Sequence, residues 1–126
     1  MKVLIEFKKY NIENGFKEQE TSFCVPGIFQ DSILKFVDND KAINLISIKD
    51  NEITVERKSE IKTHMVLKKG EKTKFVMVAS FGNLELDLFT NILNVKKDSV
   101  YILYNVLEDF NSYKTYELHI TFSPVK

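Results

Sequence analysis

A chain of 126 residues, 44% hydrophobic and 29% charged, has the size and make-up of one globular domain, residues 1–126, able to bury a real core. Eighteen basic residues offset eighteen acidic ones, which argues against general electrostatic attraction to nucleic acid or an anionic membrane. The single cysteine, Cys24, excludes an internal disulfide, no apolar run approaches a membrane-crossing helix, and residues 1–7 lack a charged-then-apolar leader, so a cytoplasmic setting without membrane insertion is expected.

Residues 2–9 alternate, with Val3, Ile5 and Phe7 on one face and Lys2, Glu6 and Lys8 on the other. Asn14-Gly15 is the strongest local turn signal. It leads into a second strand over 16–25, polar on both faces, as at an edge or a barrel rim. Pro26-Gly27 is expected to end that strand. Residues 28–37 read either as a short helix started by Asp31 or as two strands breaking near residues 30–32, and Asp38-Asn39-Asp40 then turns the chain. Residues 42–48 are β-rich and apolar. After a turn at Asp50-Asn51, residues 52–58 place Ile53, Val55 and Arg57 on one face. Ile61, Thr63, Met65 and Leu67 form the next alternating set, and Lys69-Gly70-Glu71 turns again.

Residues 73–90 carry the clearest pattern. Thr73, Phe75, Met77, Ala79 and Phe81 share a face, as do Leu84, Leu86, Leu88, Thr90 and Ile92. A four-residue turn over 80–83, with Gly82 in the left-handed region, would set Ala79 opposite Leu84 and Phe75 opposite Leu88. A polar loop over 94–99 follows. Residues 100–107 are apolar on both faces, Tyr101 and Leu103 against Ile102 and Tyr104, as in a strand covered on both sides or one whose outer face meets a partner. A last turn over 108–112 precedes Tyr116, Leu118, Ile120 and Phe122 on one face, with Glu117, His119 and Thr121 opposite. Eight to ten short strands at regular spacing predict an all-β antiparallel meander, sandwich or barrel, and barrel closure would remove exposed edges.

Over roughly residues 27–122 the chain resembles the YwiB-like proteins, a small bacterial family of unknown function. The resemblance rests on Arg57-Lys58-Ser59, Gly70, the run Ser80-Phe81-Gly82-Asn83-Leu84-Glu85-Leu86-Asp87-Leu88-Phe89-Thr90, and Tyr104 in the next strand. Ser59 stands where the family tends to have glycine, Met77 where an aromatic is usual and Thr63 where methionine is common. The resemblance implies a calycin-like β-barrel, related in shape to lipocalins and fatty-acid-binding proteins. It implies no activity.

Arg57 is the chain's only arginine and falls on the apolar parity of its strand. A buried guanidinium needs a partner, which can be a ligand carboxylate or phosphate, an internal acid or tyrosine, or water at the barrel end. A three-residue loop over 58–60 would pair Arg57 with Ile61, and a two-residue turn at 50–51 would bring Asn44 across from it. Tyr104 and Thr90 are further polar groups for the same interior, against plain roles in packing. His64 and His119 fall on polar parities and suit solvent-facing positions better than a metal site. Cys24 suits a small apolar filler better than a nucleophile, and Glu85 with Asp87 suits a solvated sheet face. No nucleophile–base pair, metal cluster or phosphate loop has convincing spacing, so no cofactor is expected and an enzyme is the less favoured reading. The expectation is a non-catalytic binding module of unknown function, holding a small apolar or amphiphilic anionic ligand near Arg57, Asn44, Thr90 and Tyr104. The alternative is a filled barrel acting as a homodimer or partner-binding protein through the outer face of residues 100–107.

Overall fold

The computed structural model describes residues 1–108 and 112–125 and is built of ten strands. They are β1 (Lys2–Glu13), β2 (Phe16–Gln30), β3 (Ile33–Val37), β4 (Ile43–Ile48), β5 (Glu52–Lys58), β6 (Lys62–Lys68), β7 (Lys72–Ala79), β8 (Gly82–Val95), β9 (Ser99–Leu107) and β10 (Tyr113–Pro124). Each pairs antiparallel with its neighbour in sequence, and β1 pairs with β10 to close the barrel. The all-β antiparallel barrel expected from the alternation is the fold observed. The last expected turn, over 108–112, runs across residues that lie outside the described ones.

The inward side chains fall into two zones. At one end Val3, Ile5, Leu34, Ile46, Ile53, Leu67, Leu88, Ile102 and Ile120 are fully buried and form a solid apolar plug. Toward the other end the inward positions Phe7, Val55, Met65, Phe75, Val106 and Tyr116 are only partly buried. The long β1–β2 hairpin, turning at Asn14 (φ +53) and Gly15 (φ +79), overhangs this open end. β2 meets β3 only from Gly27 to Gln30, so residues 16–26 pair on one side alone, which explains their polar character.

Several local expectations are corrected. Pro26-Gly27 does not end β2, which runs on to Gln30. The Phe29 N–H donates to the Met1 carbonyl of the β1 side (2.9 Å), so by strand alternation the N–H that Pro26 lacks would have faced β3. The β2–β3 ladder ends one residue earlier, at Gly27–Phe36, and proline there forfeits no ladder bond. Residues 28–37 form the strand pair and not the helix. Asp31 (φ +53) and Ser32 (φ +64) both take the left-handed conformation of a tight two-residue hairpin turn.

The β7–β8 connection is two residues, Ser80-Phe81, with Ala79 opposite Gly82. Neither turn residue has positive φ; Gly82 carries it instead, at +143. The register therefore sits two residues from the expected one, with Met77 opposite Leu84 and Phe75 opposite Leu86, and the apolar faces still coincide because a shift of two preserves parity. The β5–β6 loop is displaced by one residue to 59–61, which pairs Arg57 with Thr63 and not Ile61. β8 runs to Val95, past the expected start of the polar loop. A bulge between Thr90 and Ile92 turns Ile92 outward (38% exposed) and brings Leu93 into the core. Cys24 is exposed and not a filler, because its neighbours Phe23 and Val25 take the inward parity.

Candidate functional site

The open half of the barrel encloses a cavity of about 290 Å³. Its walls are apolar: Phe7, Val55, Met65, Phe75 and Val106 contribute to them, and Tyr104 and Tyr116 stack beside one another at 5.6 Å. A wider recess of about 590 Å³, lined by the 38–40 turn and residues 20–23, shares Phe7, Lys9, Asn44 and Arg57 with the cavity and so forms its mouth.

Three of the four residues singled out from sequence line this cavity: Arg57, Asn44 and Tyr104. Asn44 and Arg57 face each other across β4 and β5, as a short turn after Ile48 requires. Their common partner is Asp38, which sequence patterning places in a turn without connecting it to them. Arg57 Nε donates to Asp38 Oδ2 at 2.8 Å, and Asn44 Nδ2 donates to the same oxygen at 2.9 Å. The other oxygen, Oδ1, accepts from the backbone N–H groups of Asp40 (3.0 Å) and Ala42 (3.1 Å). Arg57 Nη2 also reaches Asp40 Oδ2 at 3.3 Å. Burial alone would raise the Asp38 pKa. The hydrogen bonds from Arg57, Asn44 and Ala42 outweigh it and bring the carboxyl down to about 2. Arg57 thus has an internal acid as partner, and its guanidinium edge forms part of the cavity wall.

Tyr104 is 2% exposed, and its hydroxyl makes no hydrogen bond among the described residues. Burial pushes its phenol well above the ordinary range, so the hydroxyl stays a neutral donor. Thr90 lies outside the cavity lining. It pairs with Tyr104 across β8 and β9, fully buried, and its Oγ1 has no partner among the described residues. A buried hydroxyl without a partner costs about 1–3 kcal/mol. Thr90→Val is therefore expected to raise the unfolding free energy by about 1 kcal/mol in urea titration, and a loss instead would give that hydroxyl a use.

Lys9 is the lining residue that sequence reasoning passed over. It continues the inward parity of Val3, Ile5 and Phe7, a signal present in the alternation itself. Its Nζ lies 4.5 Å from the Tyr116 ring centroid and 3.5 Å from Glu20 Oε2.

A second polar cluster stands on the outer wall. Glu117 is 8% exposed despite its outward parity, because Tyr101, His119 and Lys17 close over it. It accepts from Tyr101 Oη (2.9 Å) and Lys17 Nζ (3.0 Å), and His119 Nε2 is 2.5 Å from it. Burial would raise its pKa, but the bonds with His119, Lys17 and Tyr101 bring it down to about 2. His119 is consequently half-enclosed between the rings of Tyr10 and Tyr101, whereas His64 is exposed beside Glu56 at 3.2 Å. Glu85 and Asp87 pair with Lys74, as a solvated sheet face does. Among the described residues no group of three or more His, Cys, Asp or Glu side chains could hold a metal ion. Among them, too, no helix is long and apolar enough to cross a membrane.

Three comparisons with known proteins bear on this chain. A family model described as a domain of unknown function, DUF1934, matches residues 5–120. A solved structure titled as the crystal structure of the ywiB protein from Bacillus subtilis is similar at a TM-score of 0.72 and 16% sequence identity. That match covers 99% of this chain and 92% of the other, and it carries the fold alone. No curated protein matches.

Proposed function

The chain belongs to the DUF1934 family of domains of unknown function, and we propose that it is a non-catalytic binding protein that holds a small apolar or amphiphilic molecule in the open half of its barrel. The observation that carries this reading is the division of the interior. One half is a dry aliphatic plug, while the other keeps partly buried apolar side chains around a cavity. Concave, largely apolar space with a few convergent polar groups is the usual form of a small-ligand site, and about 290 Å³ suits a small ligand. The hydroxyl of Tyr104 strengthens the reading. It has no hydrogen-bond partner among the described residues and belongs to a residue in the wall of that space, where a ligand oxygen could accept from it. Lys9, Asn44, Thr63 and the guanidinium edge of Arg57 supply the remaining polar surface.

The test is native mass spectrometry of freshly purified protein beside two variants. Met65→Trp fills the cavity and is expected to abolish any co-purifying small mass while leaving a cooperative thermal transition. Tyr104→Phe is expected to keep the unfolding free energy within about 0.5 kcal/mol of the parent, because no protein hydrogen bond is lost, while weakening retention of the ligand. A retained mass that survives Met65→Trp would place the ligand elsewhere and overturn the reading.

A further inference from the structure

We propose that Lys9 is the counter-ion for a single negative charge on the bound molecule, so that the ligand of the open half is an apolar body carrying one anionic group of the carboxylate or sulfonate kind. The assignment rests on the binding reading above and names the charge and the residue that reads it. Two cations line the cavity, Lys9 and Arg57, and no acid does among the described residues. They differ in what already holds them. Arg57 is bound to the buried Asp38 at 2.8 Å and reaches Asp40 at 3.3 Å, so its charge is matched within the protein. Drawing it toward a ligand would leave Asp38 buried beside an absent partner, at a cost the ligand would have to offset.

Lys9 has no such anchor. Its acidic neighbour, Glu20, is 3.5 Å away, longer than a charge-assisted hydrogen bond of about 2.7–2.9 Å, and the Glu20 side chain is 45% exposed. Its closest enclosed partner is the face of the Tyr116 ring, which attracts an ammonium but does not neutralise it. The Lys9 side chain is itself 31% exposed, at the point where cavity and mouth meet. β-pairing fixes this placement. Lys9 sits opposite Leu118 of β10 and Thr21 of β2, and ordinary strand alternation sends Tyr10 to the outer wall against His119, while the register shift leaves Glu20 of β2 as the extra residue beside Lys9. A flexible ammonium there can turn from Glu20 to an anion at the cavity mouth without unpairing a buried group. One loosely paired cation selects one negative charge; a second would meet Glu20, Asp38 and Asp40 around the recess.

A matched pair of fluorescent probes tests the assignment. 8-Anilinonaphthalene-1-sulfonate and N-phenyl-1-naphthylamine share an aromatic body and differ by the sulfonate. Their affinities are measured on the parent, on Lys9→Met and on Lys8→Met, whose side chain pairs with Glu6 on the outer wall. The parent is expected to prefer the sulfonate. Lys9→Met is expected to lose about tenfold in affinity for the sulfonate, the order of one charge-assisted contact, and to hold the neutral probe unchanged. Lys8→Met is expected to change neither. A preference that survives Lys9→Met, or equal weakening of both probes, overturns Lys9 as counter-ion while leaving the binding reading intact. Failure of the folded parent to bind either probe overturns the assignment together with the reading beneath it.

Discussion

Asp38→Ala is expected to lower the unfolding free energy by about 3 kcal/mol, measured by urea denaturation. The carboxylate is the hub of the open end. It receives Arg57, Asn44 and two backbone N–H groups of its own turn, and its side chain is only 7% exposed. Removing one member of a buried pair strands the other and costs about 3–5 kcal/mol. Arg57 is 36% exposed and can recover some hydration, which sets the expectation at the low end. Joining Arg57→Met to Asp38→Ala is expected to cost less than the two single changes added together, since the double variant leaves no unmatched charge. A loss under about 1 kcal/mol for Asp38→Ala would mean that the 38–42 turn is held by its other contacts.

The same carboxyl makes stability depend on acid. Its folded pKa, about 2, lies below the ordinary 3.8, and that of Glu117, also about 2, lies below 4.5. The folded state thus favours the ionised forms. Their stabilisation is fully present above about pH 5 and is lost as the pH falls from there toward 2. The shifts correspond to about 2 kcal/mol for Asp38 and about 3 kcal/mol for Glu117. Asp38→Ala should therefore flatten part of the acid limb of a stability profile and leave the Glu117 part in place.

Gly27→Ala is the second large effect, expected to cost about 3 kcal/mol or more. A methyl group at residue 27 would lie 2.5 Å from Ile5 Cδ1, 2.7 Å from the backbone oxygen of Lys35 and 3.1 Å from Phe36 Cβ. Ile5 can swing aside, but the Lys35 oxygen belongs to the paired strand and cannot. Overpacking a filled core costs about 1–3 kcal/mol, occasionally more, and here the obstacle is main chain. The glycine lets β3 approach where the pairing of β2 with it begins. By contrast a methyl group at Gly15 or Gly70 would meet open space, and substitution there strains only the left-handed backbone, at φ +79 and +71. A thermal shift for Gly27→Ala no larger than for Gly15→Ala would contradict the close approach.

Asp38 and Gly27 also mark where sequence reasoning stops. Parity is legible: the buried sets Val3–Ile5, Leu118–Ile120–Phe122 and Ile53 follow period two, and period two survives any register shift of two residues. The pairing of Asn44 with Arg57 is legible too, because a short turn fixes it. Register at the β7–β8 turn is not, since whether the positive φ falls inside the turn or just after it depends on a single dihedral, that of Gly82. Asp38 is hidden as the partner of Arg57 because they are 19 residues apart and meet only when β3, β4 and β5 lie side by side. Glu117 is hidden because its burial comes from side chains of β2, β9 and its own strand closing over an outward position, which alternation assigns to solvent. Pro26 misleads because its cost depends on whether a neighbour lies on its N–H side, and here the ladder stops just short of it.

The pairing of the first strand with the last has a consequence for how the molecule comes into being. Every other ladder joins consecutive strands and can form as the chain emerges, but the Val3–Pro124 to Ile12–Thr115 ladder must wait for β10. β10 also brings Tyr116 and Leu118, two of the walls of the open half. A nascent chain therefore possesses hairpins and part of a plug, but the wall of the open half is incomplete until β10 has been made and has docked on β1.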